Sequence, residues 1–225
     1  MSTAPARPAD RQRTLDAARR QVRRQAEALA GLVDQIDDAF VLVVDAVLAT
    51  TGKVVTTGTG TSGIMAERLA HLLAVSGTPA FYLPCLDALH GGMGAITPDD
   101  LVIALSKGGQ STELTELTTR LVERGVDVVA LTERPGSPFA AAATLVAVVS
   151  TEPADADLGG LIATGSTLVA GAWGDALAAV LMEHRGYSWS EVVSSHPGGI
   201  VGQHRASPPA DGQPSGPDAA SELTS

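Results

Sequence analysis

Residues 101–115, LVIALSKGGQSTELT, gather hydroxyl and amide groups at a single turn. A run of apolar residues ends at Ser106, Gly108 and Gly109 turn the chain, and a helical pattern starts near Ser111. Between the carboxyl end of a strand and the amino end of a helix, free backbone N–H groups and the helix dipole both favour an anion. Ser106, Lys107, Gln110, Ser111 and Thr112 are the side chains at hand, and a small phosphorylated molecule is the ligand they predict.

A second turn of this kind is GTGTSG, 58–63, which follows the β-branched run KVVTTG and offers Thr59, Thr61 and Ser62. Its glycines fit the dinucleotide spacing GxGxxG, but that fingerprint wants an acid at the end of the second strand, where this chain reads YLPC. No lysine precedes the serine as a triphosphate loop requires. Each turn alone is compatible with ordinary turn chemistry; a pair of them favours a phosphate site.

These turns need a scaffold. Short apolar, β-branched runs at 53–58, 80–84, 101–106, 126–132 and 144–150 alternate with helical patterns at 64–75, after 111, after 136 and from 163 to 184. Such alternation predicts an α/β fold, a three-layer, flavodoxin-like, doubly wound sheet of five parallel strands. Strand order 2-1-3-4-5 puts the switch point between strands one and three, where ligands bind at the carboxyl ends. Both glycine-rich turns follow those two strands. N-terminal helical sequence spans about 9–49 with an apolar face of Leu29, Leu32, Val33, Ile36, Phe40, Val41, Val44 and Leu48. Residues 9–202 thus form one domain, flanked by segments 1–8 and 203–225 whose Pro, Gly, Ser and Ala content predicts disorder.

Composition narrows the function. The net charge of −10 disfavours nucleic acid and anionic membranes as partners, so an anion must be held by local groups. Six arginines between 11 and 24 read as a solvated helix face or a contact with an acidic neighbouring subunit, and no helix-turn-helix pattern accompanies them. Aromatic residues are only 3%, which calls for close packing of small aliphatic side chains. Neither a signal peptide nor a membrane-spanning run is evident. Cys85 is the sole cysteine, so no internal disulfide forms, and a cytoplasmic location is expected.

The motifs together carry a resemblance. GTGTSG, then SGTPAFYLPCLDALHGGMGAITPDDLVIALSKGGQSTEL, DVVALTERPGSPFAAAATLV and GDALAAVLMEHRGYSWSEVVSSHPGGIVG resemble a sugar isomerase (SIS) domain, 54–202, of the arabinose-5-phosphate isomerase group, in the short form without CBS domains. The resemblance implies a phosphosugar ligand, aldose–ketose isomerisation without metal or organic cofactor, and a homotetramer (or dimer) with sites at subunit interfaces. Matching motifs would give the phosphate to Ser62, Ser106 and Ser111, helped by Thr112. His90 falls on a histidine of the group, as does His196 in HPGG. Thr61 stands where the group has lysine, Gln110 where it has glutamate, and Asp155 is the nearest match to a second glutamate. Lys107 is a nearby cation that could stand in for the missing lysine.

Isomerisation needs a base to move a proton between adjacent carbons, a group to steady the enediolate, and opening of the cyclic sugar. His196 or Asp155 is expected as the base, with Asp157 and Glu113 ranked lower, and His90 as the group assisting ring opening. Gln110, an amide, can only hydrogen-bond. The substrate can be a catabolic sugar phosphate other than arabinose 5-phosphate. The alternative is a phosphosugar-binding sensor that has lost catalysis.

Overall fold

Five strands, β1 (Val54–Gly58), β2 (Ala80–Tyr82), β3 (Leu101–Leu105), β4 (Asp127–Thr132) and β5 (Leu145–Val148), pair in parallel in the order β2-β1-β3-β4-β5. This computed structural model describes residues 8–198. The strand order and fold class are those expected, with each strand within two residues of its predicted bounds. All five residues of β1 and of β3 are buried, because helices cover both faces of the sheet.

Alternate strand residues feed two cores. Val54, Leu101, Ile103, Leu105, Val129 and Leu131 face one layer, which holds α1 (Pro8–Ala30), α2 (Asp38–Ala49), α3 (Gly60–Val75) and α7 (Gly165–Arg185). Val55, Val102, Ala104, Val128 and Ala130 face the other, with α4 (Cys85–Leu89), α5 (Thr112–Glu123) and α6 (Pro138–Ala142). A final helix, α8 (Trp189–Ser195), starts with a Ser188–Glu191 capping box. By length and composition alone α7 is apolar enough to cross a membrane. Its composition is accounted for by packing: Trp173, Leu177 and Leu181 are buried, and Trp173 meets Phe40 edge-on, with ring centroids 5.6 Å apart.

The helical pattern expected at 9–49 is realised as two helices. The chain breaks at Gly31, makes a 3-10 turn at Val33–Gln35, and restarts where the Asp37 carboxylate accepts from Ala39 N at 3.0 Å. The break resets the helical phase. Leu32, Phe40 and Val44 are buried, whereas Val33 and Val41 of the predicted face are exposed. Gln35 holds the joint: its side chain accepts from Ser150 N and donates to Ser150 O. Pro8, expected in a disordered N-terminus, opens α1. The expectations for 1–7 and 203–225 lie outside the described residues.

Candidate functional site

Helix α3 begins inside the GTGTSG turn, at Gly60 rather than near Ile64, so Thr61 and Ser62 sit in its first turn. The first N–H groups of a helix have no intrahelical acceptor, and the N-cap Thr59 does not cap them with its side chain. Gly58 and Gly63 are glycine for packing reasons: a Cβ on Gly58 would lie 2.9 Å from the Ser62 backbone, and one on Gly63 2.8 Å from Tyr82 Oη.

A cleft opens where the N-termini of α3 and α7 approach the carboxyl ends of β3, β4 and β5. Thr61, Ser62, Lys107, Thr132, Glu133, Thr151, Ser166 and Thr167 are its polar lining; Met65, Leu105, Leu131 and Val149 contribute apolar wall.

Lys107 links its two sides. Its Nζ donates to Asp157 Oδ2 at 2.5 Å and lies 3.8 Å from Glu133 Oε1. Asp157 in turn caps α7, its Oδ1 accepting from Thr164 N at 2.8 Å and Ser166 N at 2.9 Å, and its Oδ2 from Ser166 Oγ at 2.8 Å. Burial alone would raise the Asp157 carboxyl pKa. The Lys107 ammonium and the Ser166 and Thr164 donors outweigh burial and hold it at about 2.

Of the expected substrate-binding residues, Thr61, Ser62 and Lys107 line this cleft; Thr59, Ser106, Gln110, Ser111 and Thr112 do not. Three of these serve the turns themselves. Ser106 Oγ accepts from Gly109 N at 3.2 Å, Ser111 caps α5 through Leu114 N, and Thr59 Oγ1 donates to Ser111 Oγ at 3.4 Å, closing the gap between the turns. Gln110 and Thr112 are exposed.

Nor do the expected catalytic residues line it. His90 is exposed at the end of α4. His196 ends α8, with Nδ1 2.6 Å from Val192 O. Asp155 is exposed and pairs with Arg24 at 3.1 Å; the buried acid of that loop is Asp157, two residues on. Sequence reasoning assigned no role to Glu133, Thr132, Thr151, Ser166 or Thr167. The same carboxyl-end rule that singled out the turns after strands one and three would have reached them if carried on to strands four and five.

The SIS domain family model matches residues 47–180, which takes in every strand and the cleft. The chain belongs to the SIS domain family. It is 38% identical over 84% of its length to the arabinose 5-phosphate isomerase KdsD of Pseudomonas aeruginosa, of which it spans 58%. With GutQ of Escherichia coli K12, another arabinose 5-phosphate isomerase, it shares 34% identity over 84% of this chain and 58% of that one. The chain thus spans little more than half the length of these curated relatives. A solved structure of an E. coli CFT073 protein in complex with A5P superposes with a TM-score of 0.79 at 27% identity, covering 85% of this chain and all of that one. A Listeria monocytogenes structure, proposed to be a sugar-phosphate isomerase, also gives 0.79, at 32% identity over 83% of this chain and 98% of that one. The SIS domain match thus coincides with the part of the chain that builds the cleft.

Proposed function

We propose that this SIS domain is a phosphosugar aldose–ketose isomerase acting by enediol proton transfer, similar to the arabinose-5-phosphate isomerases but open to a different catabolic sugar phosphate. The observation that carries this reading is the cleft itself, which sets two helix N-termini, six wall hydroxyls and one ammonium group around one opening.

The two helix ends are not equivalent. The Asp157 carboxylate already occupies the N-terminus of α7, whereas no side chain caps α3. A phosphate therefore goes to the α3 end, where the first-turn amides, Thr61 and Ser62 can donate to it. The sugar then extends toward Lys107, Ser166 and Thr167, whose donors meet hydroxyl and carbonyl oxygens. Lys107 supplies a positive charge beside the oxygen that becomes negative in the enediolate.

Assembly into a homotetramer or dimer with sites at subunit interfaces is part of the proposal. Leu158, Leu161, Ile162 and Leu168 are exposed in the segment that lines one side of the cleft, with Leu161 90% exposed. His90 is exposed and His196 half-buried; in this reading they complete the cleft of a neighbouring copy rather than their own. A cytoplasmic setting is also proposed, since the one thiol, Cys85, is buried and suits a reducing compartment.

The test is incubation with four- to seven-carbon sugar phosphates in deuterium oxide, following label at C1 and C2. Incorporation into at least one aldose–ketose pair is expected. Binding without incorporation would replace isomerisation with phosphosugar sensing.

A further inference from the structure

Among the residues lining the cleft one carboxylate stands out. Glu133, the first residue after β4, is the only acid among the described residues of that lining, and its side chain is 16% exposed. Its Oε1 is buried and accepts no hydrogen bond from any described residue. Lys107 Nζ is the nearest cation, at 3.8 Å, beyond hydrogen-bonding distance and committed to Asp157.

An unsatisfied buried oxygen is costly to the fold, and a glutamate serving only the fold would find a donor or turn to solvent. The backbone here leaves Glu133 little freedom to shift. Glu133 N donates to Lys107 O at 3.0 Å, and Thr132 Oγ1 donates to the same carbonyl at 3.1 Å, locking the turns after β3 and β4 together. Other acids near the cleft are unsuited. Asp157 has both oxygens occupied and is held at about 2, too weak a base to take a proton from carbon. Asp155 is exposed and paired with Arg24. Gln110 is an exposed amide.

We propose that Glu133 is the carboxylate that moves the substrate proton in this chain, with Lys107 as the cation at the reacting oxygen. The assignment rests on the isomerase reading above and names the base within it. Glu133 takes the proton from C2 of the open-chain aldose, and the C–H electron pair becomes the C1–C2 double bond as O1 gains negative charge beside Lys107. The proton returns from Glu133 to C1, the O2 hydroxyl proton passes to O1, and the C2 carbonyl forms. Atoms and charge balance without a further reactant. The carboxylate and ammonium absent at positions 110 and 61 are thus supplied from the turns after β4 and β3.

The test compares wild type, Glu133→Gln and Glu133→Asp with a sugar phosphate that the wild type isomerises. Expected for Glu133→Gln is a loss of turnover and of solvent-deuterium incorporation of about 100-fold or more, with affinity for the same sugar phosphate within threefold and an unchanged melting temperature. Glu133→Asp should recover part of the rate, and the acid limb of the wild-type pH–rate profile should disappear from the residual activity of Glu133→Gln. Turnover by Glu133→Gln within threefold of wild type would overturn the assignment, as would equal loss of rate and binding in both variants. A wild type that exchanges deuterium into no sugar phosphate would instead sink the isomerase reading and the base with it.

Discussion

Lys107 and Asp157, fifty residues apart in sequence, meet at 2.5 Å between Nζ and Oδ2, and the Asp157 side chain is only 1% exposed. This contact joins the turn after β3 to the loop that starts α7. A carboxylate so buried, and so fully hydrogen-bonded, sets the position of one cleft wall.

Asp157→Asn should therefore destabilise the fold. The wild-type carboxyl lies at about 2 when folded, below the ordinary value of about 3.9. The depressed value means that the group stabilises the folded state above about pH 4, and that this stability is lost as pH falls through about 2. The contribution at neutral pH is about 2 kcal/mol, and the asparagine variant also takes from Lys107 its hydrogen-bonded carboxylate. Urea denaturation at pH 7 and pH 2.5 should show a gap between wild type and variant that narrows at the lower pH. A gap independent of pH would contradict the charge-based account.

Ser62 and Ser106 should separate binding from folding. Ser62 lines the cleft and its hydroxyl makes no hydrogen bond within the described residues, so Ser62→Ala should weaken sugar-phosphate affinity roughly fivefold to tenfold, about 1 kcal/mol, without lowering the melting temperature. Ser106 Oγ instead satisfies Gly109 N, so Ser106→Ala should cost about 1 kcal/mol of stability with a smaller effect on affinity. Calorimetry with a sugar phosphate, paired with thermal melts, distinguishes the two.

Gly109→Ala should be among the costly substitutions in the cleft turns. Gly109 has φ +62°, and a Cβ there would overlap the side chain of Ser137, which is 3% exposed and caps α6. Left-handed backbone costs a non-glycine residue about 1–2 kcal/mol, and the overlap adds to it. A thermal melt should show a loss of at least about 2 kcal/mol; Gly108→Ala, with open space around it, should not.

Asp155→Ala tests the role that the family resemblance implied for this residue. Its ion pair with Arg24 is exposed on both sides and such pairs contribute about 0–1 kcal/mol. Stability should change by less than about 1 kcal/mol, and deuterium incorporation should stay within about twofold of wild type. A hundredfold loss of incorporation would return Asp155 to the chemistry.

Much of the fold was legible along the chain because its determinants are local. β-branched runs of five to seven residues, each followed by a turn containing glycine or proline, specified five parallel strands, and right-handed crossovers with the switch-point rule specified their order. Ser111 as the start of α5 followed from its type and place. The place of the N-terminal break, at Gly31, was not legible because α1 and α2 both carry apolar residues at helical spacing, and a phase change between them shows only where each packs.

The cleft divided along the same line. Sequence alone determined that two polar turns follow β1 and β3 and that hydroxyls and a cation stand in them. Only the tertiary structure decided which hydroxyls face the ligand space and which are used up in capping, because a turn side chain points where distant partners leave it room. Ser106 and Ser111 are claimed by their own turn and helix, Thr61 and Ser62 are left free, and Lys107 is aimed by an aspartate fifty residues away. Glu133 enters the same space from the next strand, where no sequence motif marked it, because parallel pairing of β3 and β4 sets the ends of neighbouring strands side by side.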